Sequence, residues 1–197
     1  PYPGKFAKIQ LFEIPNTDLG DDLNVELVVK NLGIETINSL SGDIELTNEG
    51  VVIKSIPVYT TKLDSQQDFQ FKIKVKTNDF PPGDYVGVAA LRYDGIALAG
   101  EKEFKIGTFF VKLLNYTNTF EKGKISRFEI DVENSWGKEI KGAFAEVIVF
   151  GNNNEAITSF RTPSLDLGPW IRDTLWTFFD TNNLEKGEYK IIIKLSY

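Results

Sequence analysis

The stretch Thr77–Tyr85, TNDFPPGDY, recurs as Thr181–Tyr189, TNNLEKGEY. Both copies fit the pattern T-N-[ND]-[FL]-x-x-G-[DE]-Y, and they lie 104 residues apart. A repeat of this length is too long for one turn of a solenoid and matches the length of a small β-sandwich domain. The sequence therefore predicts two tandem copies of one module, which cover residues 1–107 and 108–197.

Segments of alternating apolar and polar residues surround both motifs. In Phe69–Lys76, apolar side chains alternate with lysines, as in a strand with one buried and one solvated face. Asp94-Gly95 is typical of a tight hairpin between two such segments. No stretch has convincing helical periodicity. We therefore predict an all-β fold of two tandem immunoglobulin-like β-sandwiches.

The second sandwich is predicted to lack its last strand, because Tyr197 corresponds to Tyr93, after which the first copy continues. This would leave an open sheet edge, a template for a strand from another chain or from residues beyond this segment. A simple truncation is the alternative explanation.

The repeated motif also predicts a turn. Tyr85 and Tyr189 stand at the entry to the sixth strand, where sandwich folds often place a tyrosine whose hydroxyl bonds to upstream backbone. Gly83 and Gly187 stand two residues earlier, where we expect backbone geometry that a Cβ atom would oppose. We interpret these four residues as structural.

Composition limits the chemistry that the chain can perform. The chain has no His and no Cys, which removes the commonest general base and any thiol nucleophile or disulfide. We recognise no catalytic constellation and expect no enzyme and no cofactor. The net charge of −6 argues against binding to nucleic acid.

The chain also lacks Met, a signal peptide and any apolar run near the roughly 20 residues of a membrane span. We expect a processed chain or a piece of a longer one, with no membrane insertion by this segment.

Acidic residues cluster in two places, which makes a calcium site conceivable because Ca²⁺ prefers oxygen ligands. The residues are Asp18, Asp21, Asp22, Asp64 and Asp68. No D-x-[DN]-x-[DN]-G loop is present, so we favour solvated acidic turns and predict no metal.

Aromatic residues distinguish the second copy from the first. At the 104-residue offset, Lys72 and Lys74 correspond to Trp176 and Phe178. Two interpretations are open. A β-bulge could reverse the register and turn these aromatic side chains inward, or the side chains could form an exposed apolar contact surface.

Two further tryptophans, Trp136 and Trp170, are predicted in loops. Exposed aromatic rings can stack on sugars, so these two residues with Trp176 and Phe178 are candidates for a protein-contact or carbohydrate-binding surface. Asn115 begins the sequon Asn115-Tyr116-Thr117, a candidate N-glycosylation site. A polar residue at a strand end is the alternative interpretation.

Three motifs carry a resemblance to known modules: V-x-N-x-G at Val29–Gly33, its near match at Val132–Gly137, and the [FL]-x-x-G-[DE]-Y turn. They resemble immunoglobulin-like modules of prokaryotic surface proteins, most of all the cell adhesion related domain found in bacteria (CARDB) and modules of archaeal S-layer-type proteins. The resemblance implies an extracellular, cell-surface, non-catalytic spacer, adhesion or assembly unit. Its implied partners are other protein subunits or neighbouring domains of the same long chain. The missing last strand departs from the family pattern.

Overall fold

The computed structural model describes residues 2–151 and 153–197, and every regular element in these ranges is a β-strand. None of these residues belongs to a helix long and apolar enough to cross a membrane. The chain divides into two compact units, Pro1–Thr108 (unit 1) and Phe109–Tyr197 (unit 2). This division lies one residue after the boundary predicted from the repeat.

Unit 1 is built from two sheets around one hydrophobic core. One sheet has the strand order β1-β3-β6 and the other β2-β8-β7-β4-β5, with β2 parallel to β8 and all other pairs antiparallel. This is an immunoglobulin-like β-sandwich. The strands are β1 (Ala7–Glu13), β2 (Thr17–Asp18), β3 (Asp22–Asn31), β4 (Leu40–Asn48), β5 (Val51–Thr60), β6 (Asp68–Lys76), β7 (Gly83–Tyr93) and β8 (Ile96–Gly107).

Alternation along the strands builds this core. On β3, Leu23, Val25, Leu27 and Val29 are buried, while the residues between them face outward or lie half-buried. The predicted tight hairpin joins β7 to β8. Its two turn residues, Asp94 and Gly95, have φ values of 44° and 87°, the positive values that such a turn requires.

Unit 2 repeats this plan up to the counterpart of β7. One sheet has the order β9-β10-β14, and in the other β11 pairs with β12, with β15 and, near its start, with the short β13. The strands are β9 (Val111–Tyr116), β10 (Ile125–Asn134), β11 (Ile140–Phe150), β12 (Ala156–Arg161), β13 (Leu165–Leu167), β14 (Arg172–Asp180) and β15 (Lys190–Ser196).

Unit 2 shows no counterpart of β8 among the strands that the structure describes. Strand β7 of unit 1 lies between β4 and β8, whereas its counterpart β15 pairs with β11 alone among the strands that the structure describes. The all-β fold of two tandem immunoglobulin-like sandwiches is therefore as predicted. The very short strands β2 and β13 were not predicted.

A buried asparagine fastens the same loop in both units. The Asn31 amide donates to the carbonyl oxygens of Glu35 and Leu63, and its Oδ1 accepts the N–H of Gly33. Asn134 repeats this arrangement with Lys138, Leu167 and Gly168 as acceptors and the N–H of Trp136 as donor. Both asparagines are fully buried. Because buried polar groups need hydrogen-bond partners, this network explains why the V-x-N motif occurs twice.

The two tyrosines of the repeated turn make the predicted bond to upstream backbone. The Tyr85 hydroxyl donates to the carbonyl oxygen of Pro81 at 2.6 Å, and the Tyr189 hydroxyl donates to that of Glu185 at 2.7 Å. Their surroundings differ. Tyr85 is only 2% exposed, and burial raises the pKa of its phenol, whereas Tyr189 is half-buried.

The two glycines of this turn are not equivalent. Gly83 has a φ of +147°, and a Cβ there would lie 3.2 Å from the Asn48 amide nitrogen, as expected for a position that requires glycine. At Gly187 the expectation is wrong. Its φ is not in the left-handed region, and a Cβ would meet no atom within 4 Å. The turn therefore has a different backbone conformation at Gly187.

Candidate contact surface

The outer face of the β9-β10-β14 sheet carries the exposed aromatic residues. Strands β10 and β14 pair without interruption from Ile125 opposite Asp180 to Glu133 opposite Arg172, so no bulge reverses the register. Trp176 is 40% exposed and Phe178 is 63% exposed. The interpretation in which these side chains turn inward is therefore wrong.

Four side chains form this surface, which we call the β14 patch: Ile125, Arg127, Trp176 and Phe178. The Trp176 and Phe178 rings contact edge to face with their centroids 5.7 Å apart, and the Arg127 guanidinium lies 4.5 Å from the Trp176 ring centroid. A cation over an aromatic face is attracted by the ring quadrupole. Ile125 is also exposed, and Arg127, which lies over the Trp176 ring, forms an ion pair with the neighbouring Glu129 at 2.9 Å.

The same face of unit 1 has a different chemistry. There Lys72 forms an ion pair with Glu26 at 2.7 Å, and Lys76 forms one with Asp22 at 2.6 Å. The hydrogen bond from Lys76 holds the pKa of the Asp22 carboxyl below its usual value. One unit therefore presents ion-paired, solvated side chains where the other presents aromatic rings.

Trp136 and Trp170 lie elsewhere in unit 2. Trp136 follows β10 and Trp170 precedes β14, and the Trp170 N–H donates to the Trp136 carbonyl oxygen at 3.2 Å. Both side chains are half-buried, and the Trp136 ring packs against the core and edge-on against Phe109 at 5.0 Å. Trp176 is the fifth residue of β14, about 13 Å along the strand from its start. The structure therefore does not join the three tryptophans into one flat platform.

Three of the five candidate calcium ligands form ion pairs with lysines. Asp64 pairs with Lys62 at 3.0 Å and Asp68 with Lys30 at 3.2 Å, in addition to the pair formed by Asp22. Within residues 2–151 and 153–197, no group of three acidic side chains is placed to hold a metal ion.

The candidate glycosylation residue lies on an edge strand. Asn115 is exposed on β9, opposite Asp131 of β10. Its side chain is accessible to solvent, and its modification stays a prediction.

A groove opens beside the unpaired edge of β15 and has a volume of about 910 Å³. Its apolar lining comes from Phe120, Phe128, Phe179, Leu184, Tyr189 and Ile191. We predicted the open edge but not the groove. Its signal in the sequence is the lack of any counterpart in unit 2 to Phe104 and Ile106 of β8, which are buried in unit 1.

Comparisons with known proteins leave the family open. No family model and no curated protein matches the chain. Among solved structures, it is similar to red sea bream transglutaminase (12% identity, TM-score 0.43, 96% of this chain and 29% of that one). It is also similar to α-2-macroglobulin of Escherichia coli (12% identity, TM-score 0.36, 98% of this chain and 22% of that one). A third similar structure is CBD12 from CALX1.2 (14% identity, TM-score 0.35, 91% of this chain and 77% of that one). The chain thus spans less than a third of the transglutaminase and of the macroglobulin.

Proposed function

We propose that this chain is a non-catalytic structural or adhesion module of an extracellular cell-surface protein, and that it assembles through protein–protein contacts. The observation that carries the proposal is the β14 patch, where Trp176 and Phe178 are exposed on the sheet face that bears lysines in unit 1. Exposed apolar surface of this kind usually marks a contact site. The resemblance to CARDB and S-layer-type modules supports the cell-surface location.

A second copy of the chain is the partner that we assign to the β14 patch. The outward residues beside the aromatic rings include the cation Arg127 and the anions Glu129 and Asp180. A surface with both signs of charge around an apolar centre can match a copy of itself related by a two-fold axis. The absence of His and Cys supports the non-catalytic part of the proposal.

Light scattering on a dilution series tests the proposal. We expect a mass above the 22.2 kDa of one chain for the wild type. The double variant Trp176→Lys with Phe178→Lys places lysines where unit 1 has lysines, so we expect the fold to tolerate it. Its measured mass should be that of one chain. The matched control is Tyr59→Lys, which removes an aromatic residue that is 75% exposed in unit 1 and should leave assembly unchanged. A wild type that stays monomeric at high concentration would overturn the assignment.

Carbohydrate binding is the second candidate, favoured by the 40% exposure of Trp176. A glycan array separates the two proposals. Saturable binding of a sugar that is lost with Trp176→Ala would replace the structural role with carbohydrate recognition. If Trp136→Ala abolishes binding and Trp176→Ala does not, the sugar binds near the loops that carry Trp136 and Trp170 instead of at the β14 patch.

A further inference from the structure

We propose that two copies of this chain assemble by pairing their β14 strands antiparallel and edge to edge, so that their two β9-β10-β14 sheets join into one continuous sheet. This inference rests on the proposed function, because it specifies how a second copy contacts the β14 patch. Its tests separate strand pairing from every other contact between two copies.

Strand β14 stands at the edge of its sheet and pairs only with β10 among the described strands. This open edge does not result from the absence of a β8 counterpart. In unit 1, which contains β8, the corresponding strand β6 also pairs only with β3 among the described strands. An open edge at this position is therefore a property of the module. Such an edge presents backbone donors and acceptors to an incoming strand.

The backbone bonds at the two ends of β14 show which residues face the open edge. The Asn134 N–H donates to the Ile171 carbonyl at 2.9 Å, and the Thr181 N–H donates to the Lys124 carbonyl at 3.0 Å. Between these bonds β10 and β14 pair without a register shift. Because hydrogen-bonded pairs alternate along an antiparallel ladder, the odd-numbered residues of β14 bond to β10. The backbone groups of the even-numbered residues therefore face the open edge: Arg172, Thr174, Trp176, Phe178 and Asp180.

The charges on these residues select one register for the pair. If Trp176 lies opposite Trp176 of the second copy, Arg172 lies opposite Asp180 of the second copy, and the two-fold axis repeats this ion pair. Opposite charges at facing positions stabilise a strand pair, and a shift of two residues would separate both ion pairs. In this register the even-numbered residues of both strands face one another, so their outward N–H and C=O groups can bond.

Both charged residues are accessible in the single chain. The Arg172 side chain is 70% exposed, although its Nε atom donates to Glu133 at 2.8 Å. Asp180 is exposed, and one of its carboxylate oxygens accepts the Asn182 N–H at 2.9 Å. A guanidinium has five N–H donors and a carboxylate has two oxygens. Each group can therefore keep its present bond and form the new ion pair.

The centre of the proposed pair is apolar. The Trp176 rings of the two copies would lie side by side, and each Phe178 would lie opposite Thr174 of the other copy. These contacts would remove part of the exposed aromatic surface from water. One backbone group has to exchange its partner, because the Thr174 N–H donates to the Asp173 carboxylate at 2.7 Å. In the pair, the Phe178 carbonyl of the second copy accepts this N–H instead.

The corresponding edge of unit 1 has features that oppose strand pairing. The Asn31 N–H donates to the Gln67 carbonyl at 3.0 Å, so by the same alternation the even-numbered residues of β6 face its open edge. These residues include Lys72, Lys74 and Lys76. Lysines on an edge strand protect it from pairing with another chain. At the same edge, unit 2 carries two aromatic residues and an acidic residue.

Cysteine cross-linking tests the register, because the chain has no cysteine of its own. Facing Cα atoms of an antiparallel pair lie about 5.5 Å apart, which suits a disulfide. Under mild oxidation, Trp176→Cys should therefore form a linked dimer roughly tenfold faster than Phe178→Cys, whose copies lie about 13 Å apart along the strands. Both variants lose one aromatic ring, so the second is the matched control. Equal rates for the two variants would overturn the proposal.

Hydrogen exchange of the wild type tests the pairing without a substitution. As protein concentration rises, exchange of the Trp176, Phe178 and Asp180 amides should slow by roughly tenfold or more, and the equivalent amides of β6 should not change. If light scattering shows a dimer in which these β14 amides still exchange at the dilute rate, strand pairing is wrong and the proposed function stands. A protein that is monomeric at every concentration would overturn both.

Asp180→Asn tests the two ion pairs, since it removes the charge and keeps an oxygen for the Asn182 N–H. The matched control is Asp166→Asn, because Asp166 is also exposed in unit 2 and its carboxylate accepts the Gly142 N–H. At low ionic strength, Asp180→Asn should raise the dissociation constant of the dimer by about threefold to tenfold, and Asp166→Asn should leave it unchanged. Equal effects of both variants would overturn the proposed register.

Discussion

At the scale of single residues, Asp94 holds three segments of unit 1 together. Its carboxylate forms an ion pair with Lys5 at 2.6 Å and accepts hydrogen bonds from the backbone N–H groups of Asn38 and Ser39. The bond from Lys5, followed by those from Asn38 and Ser39, lowers the pKa of Asp94 to about 2. The turn residue that the sequence identifies for its backbone conformation is therefore also an electrostatic anchor.

The low pKa of Asp94 predicts how the stability of unit 1 depends on pH. A carboxyl group whose pKa is lower in the folded state stabilises the protein above its ordinary pKa of about 4, and this stabilisation disappears as the pH falls towards 2. We expect Asp94→Asn to lower the free energy of unfolding by about 1–2 kcal/mol at pH 7. Urea unfolding followed by circular dichroism should show this difference shrinking between pH 4 and pH 2 (roughly the two pKa values).

Asp84→Asn is the matched control, because the Asp84 side chain is 74% exposed and its lysine partner is 3.7 Å away. We expect little change from this substitution. A pH-independent effect of Asp94→Asn would mean that the charge of Asp94 contributes nothing.

The two turn glycines should respond differently to alanine. Gly83→Ala forces a side chain into a positive-φ conformation and should cost about 1 kcal/mol or more. Gly187→Ala meets no atom and no backbone strain, so it should be neutral or stabilise by about 0.4–1 kcal/mol by reducing the entropy of the unfolded chain. Thermal unfolding of both variants checks the contrast, and equal losses would contradict it.

At the scale of elements, β7 and β15 are the same strand in two environments. Strand β7 has a partner on each side, and β15 has one partner among the described strands. Successive backbone amides of a strand point alternately to its two neighbours. Every second amide of β15 should therefore lack a backbone hydrogen bond to a described strand and exchange its hydrogen faster than the amides between.

Hydrogen exchange of the dilute protein checks this expectation. We expect protection of nearly every amide of β7 and protection of alternate amides in β15, with a period of two residues. Mass spectrometry with fragmentation or NMR provides the required resolution. Uniform protection of β15 in dilute solution would mean that its second edge is already covered.

At the scale of the whole molecule, the two units differ in the size of their cores. The buried cluster of unit 1 contains nearly twice as many hydrophobic residues as that of unit 2, and Ile191, Ile193 and Leu195 of β15 are only partly buried. Since burial of apolar surface is the main stabilising term, unit 2 should be the less stable of the two.

Tryptophan fluorescence isolates unit 2, because Trp136, Trp170 and Trp176 are the three tryptophans of the chain. Circular dichroism reports the unfolding of both units. We therefore expect the fluorescence signal, which comes from unit 2, to change at lower urea than the final part of the circular dichroism transition, which comes from unit 1. A single coincident transition would contradict independent unfolding of the two units.

Much of this architecture could be predicted from the sequence. Alternation of apolar residues located the major strands, and the correspondence of Tyr93 with Tyr197 identified β15 as the counterpart of β7. The conformation at Gly187 could not be predicted, because a repeated glycine does not reveal its φ. The orientation of Trp176 and Phe178 required the register of β10 and β14, which local patterns leave open. The groove depends on contacts between both sheets, which no local pattern records.

The isoleucines of β15 have a consequence for the solubility of the protein. Ile191, Ile192 and Ile193 form an apolar β-branched run on a strand with one edge that no described strand covers, the kind of segment that stacks into cross-β fibrils. Lys190 and Lys194 flank the run as gatekeepers. In a parallel in-register stack, like charges would recur about every 4.8 Å, so these lysines oppose fibril growth. Concentrated salt screens this repulsion, so this edge is best protected from fibril formation at low ionic strength.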